Sequence, residues 1–425
     1  MIDTAEIFRR MRRAWKPLAA ILALSFALHL TVALLSSGGI VQDDALSYRD
    51  LAKNLVHGYG YVFEPGHPPT AWRAPAYPAF LAAIFKLSGD SLRSARLANA
   101  FLWLGTDLAV AVIAFAFLEP SAALLACALA AFYPEFLGFS GLLWSESFSI
   151  FLFLLSLALL VLLGVSRRWP LALLAGLCSG VLILSRTTFL VLLFVVLVAG
   201  FTGFLKRSQA IATILVALAV VAPWTVRNVR LLHHFVLVES NATQNLYKGS
   251  RPDLPILFPV LAMEKTTGSD PVYAAISRLP PSEQYAAFGQ AARKNILSHP
   301  VRFALLGIGK TIDFWWPDYF IARNVRAGSF GPRYDRFWLP VLAVTATAFL
   351  IVALGALGTI LRFRRRRIIL LTVLLLAVYT LPHALAHGAS RYHLPLLPVL
   401  CILAAPALLD LARHIRKRDA TTLRG

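Results

Sequence analysis

Residues 17–55 read PLAAILALSFALHLTVALLSSGGIVQDDALSYRDLAKNL. Pro17 to Leu35 is an apolar run long enough to cross a bilayer and too long for a cleaved leader, so it is expected to be a retained anchor. Ser36-Ser37-Gly38-Gly39 ends it, and the adjacent carboxylates Asp43 and Asp44 stand where the chain has just left the lipid. An amphipathic helix is predicted next. Leu51, Ala52, Leu55 and Val56 recur at helical spacing, while Arg49, Asp50, Lys53 and Asn54 fall on the other side. Such a helix lies along a membrane surface, with Asp44 and Tyr48 one turn apart on it.

Working outward, the 425 residues are 58% hydrophobic and only 15% charged, a composition that defines an all-α polytopic membrane protein. The net charge of +20 is not gathered on one face, which excludes a nucleic-acid-binding surface. It sits at alternate ends of apolar spans: Arg9, Arg10, Arg12, Arg13 and Lys16; Arg167 and Arg168; Lys206 and Arg207; Arg362 and Arg364 to Arg367; Arg413, Arg416, Lys417 and Arg418. The positive-inside rule puts these clusters, and both termini, in the cytoplasm. Cys127, Cys178 and Cys401 all fall in apolar spans, with no disulfide framework or metal-ligand spacing.

Hydropathy predicts about ten spans in a single domain over 1–425. A first external loop, 38–91, carries the acidic pair and a short interfacial helix ending at Leu87. A second external segment, 228–336, is the least hydrophobic part of the chain. Ser282 to Ser298 reads there as an amphipathic helix, and Trp315, Trp316, Tyr319 and Phe320 as an interfacial aromatic belt.

With this topology the notable polar residues converge on the external side: Asp43, Asp44, Arg73, Glu146, Arg186, Arg227, Asn228, Arg391 and Tyr392. Ionisable groups at such a boundary are candidates for function. Arginines beside carboxylates suit a phosphate carried on a lipid, because guanidinium offers paired donors to its oxygens. Plainer roles stand beside these. An aspartate caps the helix that follows, the arginines snorkel to headgroups, Glu146 pairs with one of them, and Trp72 and Trp224 anchor at the interface.

The ordered motifs resemble the GT-C superfamily of integral membrane glycosyltransferases. The branch is that of protein O-mannosyltransferases, lipid A aminoarabinose transferases and rhizobial galacturonosyltransferases. The resemblance rests on Asp44-Ala45-Leu46-Ser47-Tyr48, Ala52-Lys53-Asn54-Leu55 and Gly58-Tyr59-Gly60. Arg73-Ala74-Pro75-Ala76-Tyr77-Pro78, Ser145-Glu146, Pro223 to Asn228, and Arg391 to Pro395 complete it. The sequence departs from the branch at Ala76, where glycine is common, and at Asp43-Asp44, where relatives often have Asp-Glu.

The resemblance implies a hexosyl- or pentosyltransferase of the cell envelope, seated in a bacterial inner membrane with its site facing the exterior. It would move a sugar, with inversion, from a polyprenyl-phosphate donor to a hydroxyl on a glycan, lipid or protein. Asp44 is expected as general base with Asp43 beside it, and Arg391, Arg186, Arg73 and Arg227 on the donor phosphate. Glu146, Tyr48, Tyr392 and Asn228 would position substrate, and a divalent cation at the paired carboxylates is left open. The competing readings are a transporter or flippase of lipid-linked sugars and a non-catalytic lipid-binding membrane protein.

Overall fold

The computed structural model describes residues 3–37, 43–363 and 366–422, with side chains except at 43 and 417–422. The expectations placed on the Asp43 side chain, on Arg364 and Arg365, and on Lys417 and Arg418 therefore lie outside the described residues. Among those residues all regular structure is helical. Seven helical segments are long and apolar enough to cross a membrane: Trp15–Leu35, Leu92–Phe117, Ser145–Ser166, Arg207–Leu232, Asp335–Phe363, Arg367–Leu385 and Ser390–Arg416. The other segments read as spans are the shorter apolar helices Pro120–Ala131, Trp169–Ile183 and Thr187–Phe201, and the expected interfacial helix is Ala76–Ser88. The protein is thus a multi-pass integral membrane protein.

Leu92–Phe117, Ser145–Ser166 and the last span form the buried centre. Leu92–Phe117 lies between Trp15–Leu35 and Ser145–Ser166. Dispersion alone holds helices weakly in lipid, so short-range polar contacts fix the arrangement. Ser25 Oγ donates to Asp107 Oδ2 at 2.6 Å, and His29 Nδ1 meets Ser140 Oγ at 2.6 Å. Near the first span's outer end, Arg96 Nη1 donates to Ser36 O at 2.5 Å and Asn99 Nδ2 to Leu142 O at 2.8 Å. At the opposite end, Arg10 reaches Leu118 O at 3.3 Å and Arg413 reaches Glu119 at 2.9 Å, so the basic stretches at both ends of the chain share one side.

The helix carrying the acidic site is Asp43–Val56. Its buried face is Ala45, Tyr48, Leu51 and Ala52, packed on Ala76–Ser88. Asn54, placed on the wet side by periodicity, is buried instead, because its amide donates to Val62 O at 2.8 Å and Phe63 O at 3.0 Å and closes the turn that follows. That turn uses Gly58 and Gly60 at φ of 79° and 84°, a region costly for any residue with a Cβ.

Residues 228–336, expected to be external, fold into short helices, including Asn241–Ser250, Pro259–Thr266, Pro281–Ser298, Pro300–Phe314 and Phe320–Arg326. Their expected aromatic belt is broken. Trp316 is exposed, but Phe320 turns inward, stacked on Phe139 at 5.6 Å and edge-on to Trp144 at 4.9 Å.

Trp169–Ile183 docks on Arg207–Leu232 through a glycine seam. A Cβ on Gly180 would lie 2.6 Å from Val220 Cβ and 2.9 Å from Ala217 O. Gly180→Val is expected to destabilise the protein by about 1–3 kcal/mol through overpacking. Thermal unfolding in detergent measures this, and an unchanged midpoint would mean the seam is slack.

Candidate active site

Two cavities, of about 700 Å³ and about 650 Å³, meet at Asp44, Trp144, Lys248, His387 and Arg391. The first is amphiphilic, with Arg73 and Arg186 on one wall and Leu190, Val191 and Phe194 on another. The second is lined by Glu264, Thr267, Tyr273, Tyr319 and Arg323, groups suited to a hydroxyl-rich molecule.

Asp44 stands in the first turn of its helix, between two guanidiniums. Arg73 Nη2 donates to Oδ1, and Arg391 Nη2 to Oδ2 at 3.3 Å. Arg73 is held by its own Nε donating to Ser47 Oγ at 3.0 Å and by its place over the Tyr48 ring, 5.0 Å away. Its backbone is fixed by Tyr61 Oη, which donates to Arg73 O at 3.0 Å and to Ala74 O at 3.2 Å. Arg391 lies 4.6 Å over Trp144, 5.4 Å over Phe320 and 4.9 Å over Tyr392, and donates to Tyr392 Oη at 2.9 Å. An arginine so surrounded keeps its charge while losing its freedom.

Glu146 is buried at the start of its span and accepts from Arg186 Nη1 at 2.9 Å. The Arg186 guanidinium lies 5.0 Å from the Tyr392 ring, which it shares with Arg391. Tyr48 Oη donates to Ser145 Oγ at 3.3 Å, tying the acidic helix to the Ser145-Glu146 turn. Asp44, Tyr48, Arg73, Glu146, Arg186, Arg391 and Tyr392 all line the first cavity.

Arg227 and Asn228 do not line either cavity. Arg227 stacks on Trp224 at 4.3 Å, and the buried Asn228 amide donates to Val236 O at 3.2 Å and Val238 O at 2.9 Å. Their motif anchors the chain reversal that brings Glu239 to Thr187 N, at 3.2 Å, next to Arg186. The two residues, expected at the phosphate and the substrate, thus stand apart from the cavity that gathers the other site candidates. Trp72, read as an interfacial anchor, lines the first cavity.

Sequence reasoning passed over Lys248 and His387. Lys248 forms no ion pair with a described carboxylate and lies 5.1 Å from the Tyr273 ring. Burial lowers its pKa against the pull of Asp44. Burial, then the charges of Arg391 and Lys248, keep His387 neutral. Neither residue sits in a periodic pattern, so only long-range folding reveals them.

No cluster of three or more His, Cys, Asp or Glu side chains that could hold a metal occurs among the described residues. Both Asp44 oxygens face guanidiniums and Glu146 Oε1 accepts from Arg186, while the Asp43 side chain of the paired carboxylates lies outside the described residues.

The fold is similar to that of a solved membrane oligosaccharyltransferase. The archaeal oligosaccharyltransferase AglB of Archaeoglobus fulgidus, solved with an inhibitory peptide and a dolichol-phosphate, superposes with a TM-score of 0.59 at 16% identity, covering 98% of this chain and 52% of that one. The same oligosaccharyltransferase solved with Zn and sulfate gives a TM-score of 0.55 at 16% identity, covering 95% and 50%. ArnT of Cupriavidus metallidurans bound to undecaprenyl phosphate gives 0.44 at 14% identity, covering 92% and 77%. The chain spans about half the length of the oligosaccharyltransferase it matches, 52% by superposition.

More particularly, residues 67–226 match the dolichyl-phosphate-mannose-protein mannosyltransferase family, so the kinship read from the motifs is met over this stretch as well as in the fold. No curated protein sequence matches the chain.

Burial alone would raise the Asp44 pKa, but Arg73 and then Arg391 outweigh it and hold the carboxyl well below its ordinary 3.8. The stability this carboxylate contributes is therefore complete above that ordinary value and is lost as pH falls through the lowered one. Asp44→Asn is expected to cost about 1–3 kcal/mol at pH 7, since it leaves two guanidiniums without an anion. The gap to wild type should be flat from neutral pH down to the carboxylate range and close below it. Thermal unfolding across pH measures this, and a gap that persists unchanged in strong acid would remove the ion pairs as its cause.

Proposed function

We propose that the protein transfers a sugar from a polyprenyl-phosphate donor to an acceptor hydroxyl at the external membrane face, with inversion. The observation that carries the reading is a single described carboxylate, Asp44, held between guanidiniums where an amphiphilic cavity meets a polar one. The donor's lipid phosphate suits the first cavity, with Arg391 and Arg186 on its oxygens and Arg73 in support. The acceptor hydroxyl suits the second. The family match over residues 67–226 and the shared fold support this assignment. The basic clusters gathered at the other end support an external site with both termini in the cytoplasm.

In the ligand-free protein Asp44 is too well satisfied to be a strong base. An arriving phosphate competes for Arg391 and Arg73, and as it takes those donors the carboxylate regains basicity. Asp44 then accepts the acceptor's hydroxyl proton while that oxygen bonds to the anomeric carbon. The bond from that carbon to the phosphate oxygen breaks, and its electrons stay on the phosphate, stabilised by the arginines. Glu146 is buried and paired through Oε1 with Arg186, an arrangement suited to holding that arginine rather than to attacking a sugar, which favours one displacement with inversion. No cation is needed, because the guanidiniums supply the positive charge.

The test is release of polyprenyl phosphate from a panel of polyprenyl-phospho-sugars by purified protein in membranes. Asp44→Asn, which preserves shape, should lower turnover about 10²–10⁴-fold. Release at the wild-type rate would overturn the base. The acid limb of kcat/KM, which reports the free enzyme, should lie at lower pH than that of kcat. Coincident limbs would overturn release of the base by the donor. Chelation with EDTA should leave turnover unchanged, and a loss restored by added divalent cation would overturn the metal-free mechanism.

A further inference from the structure

Lys310 is 1% exposed, in the helix Pro300–Phe314 of the second external segment. It forms no ion pair with a described carboxylate. Its Nζ donates instead to Gly249 O at 3.0 Å and to Leu385 O at 2.6 Å. Those oxygens belong to the last turns of two other helices, Asn241–Ser250 and Arg367–Leu385. Final-turn carbonyls have no partner within their own helix and carry the negative end of its dipole. One amine therefore caps two helix C-termini at once.

The backbones around it are in contact. A Cβ on Gly249 would lie 1.9 Å from Ala386 O, and one on Gly388 would lie 2.2 Å from Lys310 O. The three segments thus meet with no room for a side chain at either crossing.

Each clamped segment delivers a group to the junction of the cavities. Lys248 precedes Gly249, and His387 and Arg391 follow Leu385. Burying an amine in this way is costly, and burial pushes Lys310 down to about 7. Charged or neutral, it still has the protons to donate to both carbonyls. A leucine here would be easier to bury but could not join the two helix ends.

We infer that Lys310 is a positioning residue, a double C-terminal cap that holds Lys248 on one side of the site in register with His387 and Arg391 on the other. The reading rests on the proposed function for its catalytic consequence, and on geometry alone for the clamp.

The experiment compares wild type with Lys310→Met, Gly249→Ala and the exposed control Lys294→Met, all full-length in lipid nanodiscs. Hydrogen exchange should quicken at residues 244–250 and 385–391 in both clamp variants more than in the rest of the chain, and the unfolding midpoint should fall further for Gly249→Ala, which adds a clash, than for Lys310→Met. Binding of undecaprenyl phosphate should weaken roughly tenfold in both, the scale of one buried hydrogen-bonding group lost. Lys294→Met should match wild type in both readouts. Unchanged exchange in the two segments would overturn the clamp. Faster exchange with undecaprenyl phosphate bound as tightly as by wild type would overturn its role in the site. If wild type itself does not bind undecaprenyl phosphate, the functional reading fails, and exchange still decides the clamp.

Discussion

The whole arrangement turns on the attraction between one carboxylate and two guanidiniums drawn from opposite ends of the sequence. Asp44 comes from the first loop, Arg73 from the end of that loop, and Arg391 from the entrance to the last span. At the edge of a bilayer such charges interact strongly because little water screens them, and each would be costly there alone. Their mutual satisfaction is what permits a concentration of charge at this depth. It also leaves a site that is stable when empty yet open to competition from any better anion.

Around this pair the supporting contacts divide the labour. Aromatic faces from Trp144, Phe320 and Tyr392 restrain Arg391 without neutralising it, whereas a carboxylate, Glu146, restrains Arg186. The two arginines differ accordingly in what any competing anion must displace. Arg391 gives up one long hydrogen bond to Asp44, while Arg186 stays tethered to a fully buried partner. Lys248 gives up no described anion at all.

Much of this was legible in the sequence, for reasons that differ by element. The long spans announce themselves because lipid tolerates only apolar side chains over that length. Asp44, Arg73, Glu146, Arg186 and Arg391 stood out as charges where charge is expensive, and the folded chain gathers them at one cavity. Arg227 and Asn228 carried the same signal for a different reason. Asn228 satisfies the backbone of a chain reversal and Arg227 donates to the Asn228 side chain, tasks that composition does not distinguish from ligand contact. Asn54 misled for the same cause. Lys248, His387 and Lys310 were silent because their neighbours are set by the packing of the irregular external segment, which no periodicity encodes.

Two short apolar helices, the second of which lines the first cavity, have a consequence for the lipid itself. Trp169–Ile183 has 15 residues, and the helical run Thr187–Phe201 joins a first turn of 4 to a helix of 11. At about 1.5 Å per residue they are shorter than the roughly 30 Å of hydrocarbon they border. Hydrophobic mismatch of that size draws the bilayer inward locally, since a small elastic cost per ångström is cheaper than wetting apolar side chains. Arg186, Leu190 and Phe194 sit along this stretch, on the cavity wall. The apolar depth the chain offers to lipid is therefore reduced along the wall of the first cavity, which couples that wall to the thickness of the surrounding bilayer.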